Sequence, residues 1–264
     1  MPPDARLNSR QHAVVRRFRD VARHGDPDLV LIDGEHLLTE ALAAGVSVEL
    51  VLTDGRAHAL AGRARAAGAS VYEGTPGVLE AASPVRTPSG IVALARWRTV
   101  DLSAALASPD GCCLGLLGVQ DPGNVGSAIR AADALGAAAV VALDGTADPR
   151  GWKALRGAMG SAFRLPVARG DAREAIRQAR QRGLAVVASV AEGGTPVDRI
   201  DLRPPALLLV GSEGSGLPPE AVATADRRVT IPMRPGAESL NVAVTAALLL
   251  FEARRQRQAA ADRS

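Results

Sequence analysis

Five polar side chains, Asn124, Arg130, Glu213, Ser239 and Asn241, stand in loops and helix starts rich in small and apolar residues. They fall in three segments. GVQDPGNVGSAIRAADALG (118–136) follows an apolar run, and its Asp121-Pro122-Gly123-Asn124 reads as a turn with Asn124 placed to cap a helix. Gly126 and Ser127 leave the first helical turn uncluttered, so its backbone N–H groups could face an anion. Arg130 lies four positions on, along the same helix face. An ordinary turn with a surface arginine explains these local features equally well.

LLLVGSEGSGLPPE (207–220) runs from an apolar strand into a loop with one acid, Glu213, among Gly211, Gly214 and Gly216. Such glycines permit close backbone approach or positive φ, and loops at the carboxyl ends of parallel strands are where ligands bind. A tight turn into Pro218 accounts for Gly216 but not for the acid. VTIPMRPGAESLNVAVTAALLLFE (229–252) ends a strand at Pro232, and Ser239 or Asn241 can cap the helix that follows.

What positions these loops is an alternation of elements. From 112 onward, apolar strands at 112–119, 138–143, 164–167, 184–190, 206–212 and 228–233 alternate with helices at 125–135, 152–162, 171–182, 218–225 and 240–257. That pattern predicts a mainly parallel sheet covered on both faces. The last helix is apolar nearly all round, at Val242, Val244, Ala246, Ala247, Leu248, Leu249, Leu250 and Phe251, so either the domain core or a second subunit must cover it. Residues 1–98 form an earlier αβ unit. It has a basic helix at 10–23, strands at 29–34, 48–54, 70–74 and 90–97, and helices at 35–44 and 57–67. The small, polar stretch 99–111 is read as a linker to a domain of 112–264.

Composition narrows the chemistry further. With 264 residues, 47% hydrophobic and 22% charged, the chain is an ordinary globular one of one or two domains. Its longest apolar run, 242–251, is too short to span a bilayer, and the start carries no apolar signal core, so a cytoplasmic protein is expected. All four histidines precede residue 59, and Cys112 and Cys113 are adjacent in an apolar run. Adjacent cysteines suit a buried strand, not a disulfide or a zinc site, and no metal is expected. A local Ser-His-Asp or Cys-His centre in the C-terminal part is disfavoured. Lys153 is the only lysine, which reads chiefly as codon bias. The ends are basic, with six arginines in 1–25 and four in 253–264, a distribution compatible with nucleic acid. With only six aromatics, base stacking is not a main theme.

Taken in order, NVGSAIR, VGSEGSGL and IPMRPGAESLNVAV resemble the SpoU, or TrmH-like, branch of the SPOUT RNA 2'-O-ribose methyltransferases. ALRGAMGSAFRLPV (154–167) is similar to the family's intervening segment. IDGEHLLTEALAAGV (32–46) with TPSGIVAL (87–94) resembles the L30e-like substrate-binding domain of the family's rRNA members. The resemblance implies an α/β trefoil-knot domain with S-adenosylmethionine in the knot, at Val210, Gly211, Ile231, Met233 and Leu240. It implies a homodimer acting on structured RNA, with rRNA favoured by the N-terminal domain, whose Arg16, Arg17, Arg19 and Arg23 would meet phosphate. Asn124, Glu213, Ser239 and Asn241 match the signature polar positions, and Arg130 matches the residue held to activate the ribose hydroxyl. A guanidinium is a poor base at neutral pH. Arg130 is therefore either a general base in special surroundings or a cation stabilising the developing alkoxide. A tRNA methyltransferase of the same family and a non-catalytic RNA-binding protein are the alternatives. An ordinary nucleotide enzyme lacks its GxGxxG fingerprint here.

Overall fold

How the first unit builds its core is visible in its basic helix. The computed structural model describes residues 6–108, 111–236 and 238–261. Its elements divide into two units by their contacts. The first runs through Arg98 and also takes in Arg150–Phe163. It contains β1 (Arg6–Leu7), α1 (Ala13–His24), β2 (Leu29–Asp33), α2 (Glu35–Ala43), β3 (Ser47–Thr53), α3 (His58–Ala66), β4 (Ser70–Gly74), α4 (Pro76–Ala82) and β5 (Ile91–Arg96). The sheet order is β1-β4-β3-β5-β2, with β5 antiparallel to both of its neighbours. Helix α1 keeps its arginines outward and buries Val15, Phe18 and Val21 against Leu31, Leu52, Leu79 and Leu94. Helix α4 was not expected. It is seven residues long and opens on a proline, yet Val78, Leu79 and Ala82 give it a buried side.

The second unit holds Thr99–Pro149 and the described residues from Arg164 on. Its elements are α5 (Leu102–Ala105), β6 (Cys112–Leu116), α6 (Pro122–Ala134), β7 (Ala139–Ala142), β8 (Val167–Arg169), α8 (Ala172–Gln181), β9 (Ala185–Ser189), β10 (Thr195–Pro196), β11 (Ala206–Val210), α9 (Pro219–Thr224), β12 (Arg227–Thr230) and α10 (Val242–Ala261). The remaining helix, α7 (Trp152–Ala158), lies in the first unit. Seven strands in the order β10-β12-β9-β11-β6-β7-β8 pair in parallel throughout. The central pair, β6 (CCLGL) and β11 (ALLLV), is buried along its whole length, as a sheet covered on both faces requires. Burial pushes the Cys113 thiol up to about 12, with Cys112 beside it adding to the effect, so this pair is packing and not chemistry.

Two expectations about organisation need correction. The stretch 99–111 is no free linker: Val100 bridges to Ala168 beside β8, and Ala105 and Leu106 are buried in the second unit's core. Small residues disguised the apolar set Leu102, Ala105, Leu106, which has helical spacing; residues 109 and 110 lie outside the described ones. The expected helix 152–162 ends earlier, at Ala158, where Met159 turns left-handed with φ 51°. This segment packs on the first unit. Trp152 joins that unit's core, Phe163 meets Trp97 edge-on at 5.8 Å, and the Arg150 guanidinium donates to the Asp26 carbonyl at 2.6 Å.

Helices α6 and α10 are fastened to each other near both ends. Asn241, just before α10, donates to Asn124 Oδ1 at 3.0 Å, and Arg254 in α10 donates to the Ala134 carbonyl at the end of α6, also at 3.0 Å. The cation at that C-terminus satisfies a carbonyl that the helix itself leaves open. Arg255 pairs with Glu252, and Arg257 donates to the Leu202 and Pro204 carbonyls. The basic C-terminal end, read as compatible with nucleic acid, is thus occupied by intramolecular bonds as far as the described residues reach.

Candidate active site

The three polar segments meet at the carboxyl ends of the second unit's strands. Asn124 follows β6, Glu213 follows β11 and Asn241 follows β12. The two asparagines each donate a side-chain amide N–H to one and the same oxygen, Glu213 Oε1; the Asn241 bond is 3.0 Å long and the Asn124 bond is closer. The Asn241 amide also reaches Asn124 Oδ1, closing a ring of three side chains. Its carbonyl oxygen accepts from the Ala243 and Val244 amides and caps α10. Asn241 thereby spends both ends of its side chain on order.

Asn124 is not the cap of α6. That place belongs to Asp121, whose carboxylate accepts from the Gly123 amide at 2.7 Å, while the Asn124 amide donates to the Asp121 carbonyl. The aspartate is three residues earlier, ahead of Pro122 at the start of the helix, and it frees the Asn124 side chain for the ring. It also puts an acid at the helix start, where the sequence left room for an anion. Of the two candidates for capping α10, Asn241 does it and Ser239 does not.

Beside the ring lies a cavity of about 320 Å³. It is walled by the loops after β9 (residues 189–191), β11 (210–217) and β12, with α10 closing one side through Val242 and Thr245. All five positions expected to hold a cofactor, Val210, Gly211, Ile231, Met233 and Leu240, line it, as do Glu213 and Ser239. The loop after β11 folds back on itself by a bridge between Ser212 and Gly216, with Gly216 at φ 67°. A methyl group on Gly211 would stand 2.1 Å from the Gly216 carbonyl carbon and 2.3 Å from the Leu217 nitrogen, so only glycine lets this turn close. Gly214 has no such constraint. Sequence reasoning missed Ser189, Val190, Ala191 and Glu238 as wall residues. Glu238 sits inside the third segment, and the other three follow an apolar strand with no polar signature of their own.

Arg130 is exposed on α6 and has no hydrogen bond or ion pair among the described residues. In the first unit, Arg17 and Arg96 both pair with Glu49, and Arg19 donates to the Arg10 carbonyl at 3.0 Å. Arg16 and Arg23 are exposed and make no such bond among the described residues. Neither is any group of three His, Cys, Asp or Glu side chains gathered among them.

Residues 111–251 match the model of the SpoU rRNA Methylase family. Over 225 residues the chain is 35% identical to the 23S rRNA (guanosine(2553)-2'-O)-methyltransferase RlmP of Bacillus subtilis (strain 168), covering 85% of this chain and 88% of that one. Among solved structures, the AdoMet-bound rRNA methyltransferase from Sinorhizobium meliloti matches with a TM-score of 0.87 at 30% identity, over 96% of this chain and 98% of that one. The SpoU Methyltransferase AviRb from Streptomyces viridochromogenes, in complex with AdoMet, matches with a TM-score of 0.83 at 28% identity, over 94% and 99%. The expected fold class, the α/β SPOUT domain with its mainly parallel sheet, is the fold these structures share with this chain.

Proposed function

The chain belongs to the SpoU rRNA methylase family, and from that premise we propose that it methylates a ribose 2'-hydroxyl of 23S rRNA with S-adenosylmethionine as donor. The observation that carries this reading is the ring of Asn124, Glu213 and Asn241 standing beside a cavity lined by Val210, Gly211, Ile231, Met233 and Leu240.

The cavity fits the donor in size and in character. Ligand pockets begin at roughly 300 Å³ and are mostly apolar with a few placed polar groups. Here apolar walls from β11, the segment after β12 and α10 are interrupted by Ser189, Ser212, Ser239 and Thr245. S-adenosylmethionine supplies a methyl group on a positively charged sulfur, which leaves without needing an acid. What the chain must add is orientation and charge. The walls hold the donor and exclude water. The amide–carboxylate ring fixes Glu213 and the start of α10 at the rim. Ser239 adds a hydroxyl at the wall for the incoming ribose.

Arg130 acts as a cation in this reading, not as a base. A guanidinium stays protonated at neutral pH, and this one is exposed with no partner among the described residues. In this role it takes an RNA phosphate and stabilises negative charge growing on the hydroxyl oxygen, while the proton leaves to solvent.

The first unit is the L30e-like substrate-binding domain of this reading. Arg16 and Arg23 meet phosphate directly, and Arg17 and Arg19 join once their internal bonds exchange. A second copy of the chain covers the outer face of α10, where Val244, Leu248 and Phe251 are 46%, 39% and 55% exposed at helical spacing. Among the described residues no helix is long and apolar enough to cross a membrane. The rRNA substrate of this reading, not that absence, is what argues for the cytoplasm as the site of reaction. Incubation with methyl-labelled donor and separate unmodified 23S rRNA and tRNA tests the reading. Label in 23S rRNA alone supports it, label in tRNA alone moves the substrate, and label in neither overturns it.

A further inference from the structure

Of the cavity's described wall residues, only Glu213 and Glu238 carry charge. Neither is neutralised from within. Glu213 is held by two uncharged amides, and Glu238 is exposed with no hydrogen bond or ion pair among the described residues. The described wall residues therefore include two acids and no arginine, lysine or histidine.

We infer that Glu238, together with Glu213, makes this cavity select the cationic methyl donor over its neutral thioether product. The inference rests on the donor reading above and concerns a residue outside the signature polar set. In the transfer, an O–C bond forms at the ribose, the S–C bond to the methyl breaks with its electron pair going to sulfur, and the hydroxyl proton leaves to solvent. The sulfur passes from sulfonium to thioether. S-adenosylmethionine carries one net positive charge, from its sulfonium and ammonium against its carboxylate, and S-adenosylhomocysteine carries none. Two carboxylates attract the first by a Coulomb term that the second lacks. The chemical step removes that attraction, so product is held less firmly than the next donor molecule. Glu238 is a specificity-determining residue in this scheme and performs no part of the bond exchange.

Calorimetric titration of the full-length protein, wild type and Glu238→Gln, with three ligands tests this. The ligands are S-adenosylmethionine, S-adenosylhomocysteine and sinefungin, in which an amine-bearing carbon restores a positive charge where the sulfonium stood. The wild type is expected to prefer both cationic ligands. Glu238→Gln should weaken both by about three- to tenfold, the range for one charge at a partly solvated distance, and leave S-adenosylhomocysteine unchanged. Glu238→Asp, which keeps the charge, should retain the preference, and added salt should erode it. Equal losses for all three ligands, or a preference untouched by Glu238→Gln, overturn the inference while the donor reading stands. Failure of the wild type to bind S-adenosylmethionine at all overturns both. A thermal melt of each variant confirms folding, which an exposed Glu→Gln change should not disturb.

Discussion

Asn124 and Asn241 lie 117 positions apart and are joined by a 3.0 Å hydrogen bond between their side-chain amides. Both also donate to the same oxygen of Glu213. Three loops from three strands are thus locked by one acceptor atom. Asn241 carries the greatest share, because its oxygen also caps α10. Two substitutions separate its duties. Asn241→Ala removes cap and ring together, and should cost about 1–2 kcal/mol of stability, with a melting point lower by several degrees and weakened donor binding. Asn241→Asp keeps an acceptor for the cap but sets a second carboxylate against Glu213. It should keep the cap's share of the stability, lose what the repulsion costs, and lose methyl transfer. If Asn241→Asp transfers methyl normally, the ring has no role in the site.

The loop after β11 closes because Gly211 has no side chain. In Gly211→Ala the added carbon meets backbone atoms of Gly216 and Leu217, which cannot rotate away as a side-chain tip would. The loop must open, and overpacking of this kind costs about 1–3 kcal/mol. Donor affinity should fall more than tenfold, since the cavity wall moves with the loop. The same change at Gly214, which has open space around it, should leave affinity within about twofold. Titration calorimetry on the pair compares them directly, and equal effects would show that the tight turn does not shape the cavity.

Asp33, at the end of β2, gives a pH test of the first unit. Burial raises its carboxyl above the ordinary 3.8, against the opposing Ser83 hydroxyl bond and the Arg156 guanidinium 3.8 Å away. A folded-state value above the unfolded one means that the native unit holds this proton more tightly. The contribution is fully present below 3.8 and is lost as pH rises through the raised folded value. Asp33→Asn should therefore equal wild type in acid and exceed it at neutral pH, as read by thermal melts from acid to neutral. A variant less stable than wild type at neutral pH would show that Arg156 outweighs burial.

The outer stripe of α10 predicts a partner. Exchanging Phe251 for Asp puts a charge on the most exposed member of an apolar stripe that the fold itself does not cover. Light scattering after size exclusion should show the wild type as a dimer and Phe251→Asp as a folded monomer. Wild-type protein that runs as a monomer at micromolar concentration would remove the second copy from the account.

Much of this was legible before any coordinates. The apolar strands revealed a parallel sheet because burial on both faces leaves no choice of residue type, and Glu213 drew notice because three glycines around one acid serve no packing purpose. Other features were hidden for physical reasons. Asn124 looked like a cap, since asparagine is a good one, and only the geometry shows Asp121 already in that place. The stretch 99–111 looked like a linker because Leu102, Ala105 and Leu106 are few and interspersed with polar residues, although two of them are buried. Arg150–Phe163 lies between two strands of the second sheet in sequence, and no local pattern says that it packs with the first unit. Ser189, Val190 and Ala191 reach the cavity by strand order alone, since β9 is next to β11.

The central claim is that the ring and Arg130 direct a methyl group onto ribose. Nucleoside mass spectrometry of unmodified 23S rRNA, after reaction with donor carrying a deuterated methyl, tests it most directly, with wild type and Arg130→Ala run side by side. Arg130 is exposed and unbonded among the described residues, so the variant should fold and bind donor as wild type does. The account predicts a deuterated methyl on the ribose of one nucleotide with wild type. With Arg130→Ala it predicts a rate lower by roughly a hundredfold or more, as loss of a preorganised stabilising group entails. Deuterated methyl on a base, or equal ribose methylation by the two proteins, would contradict it.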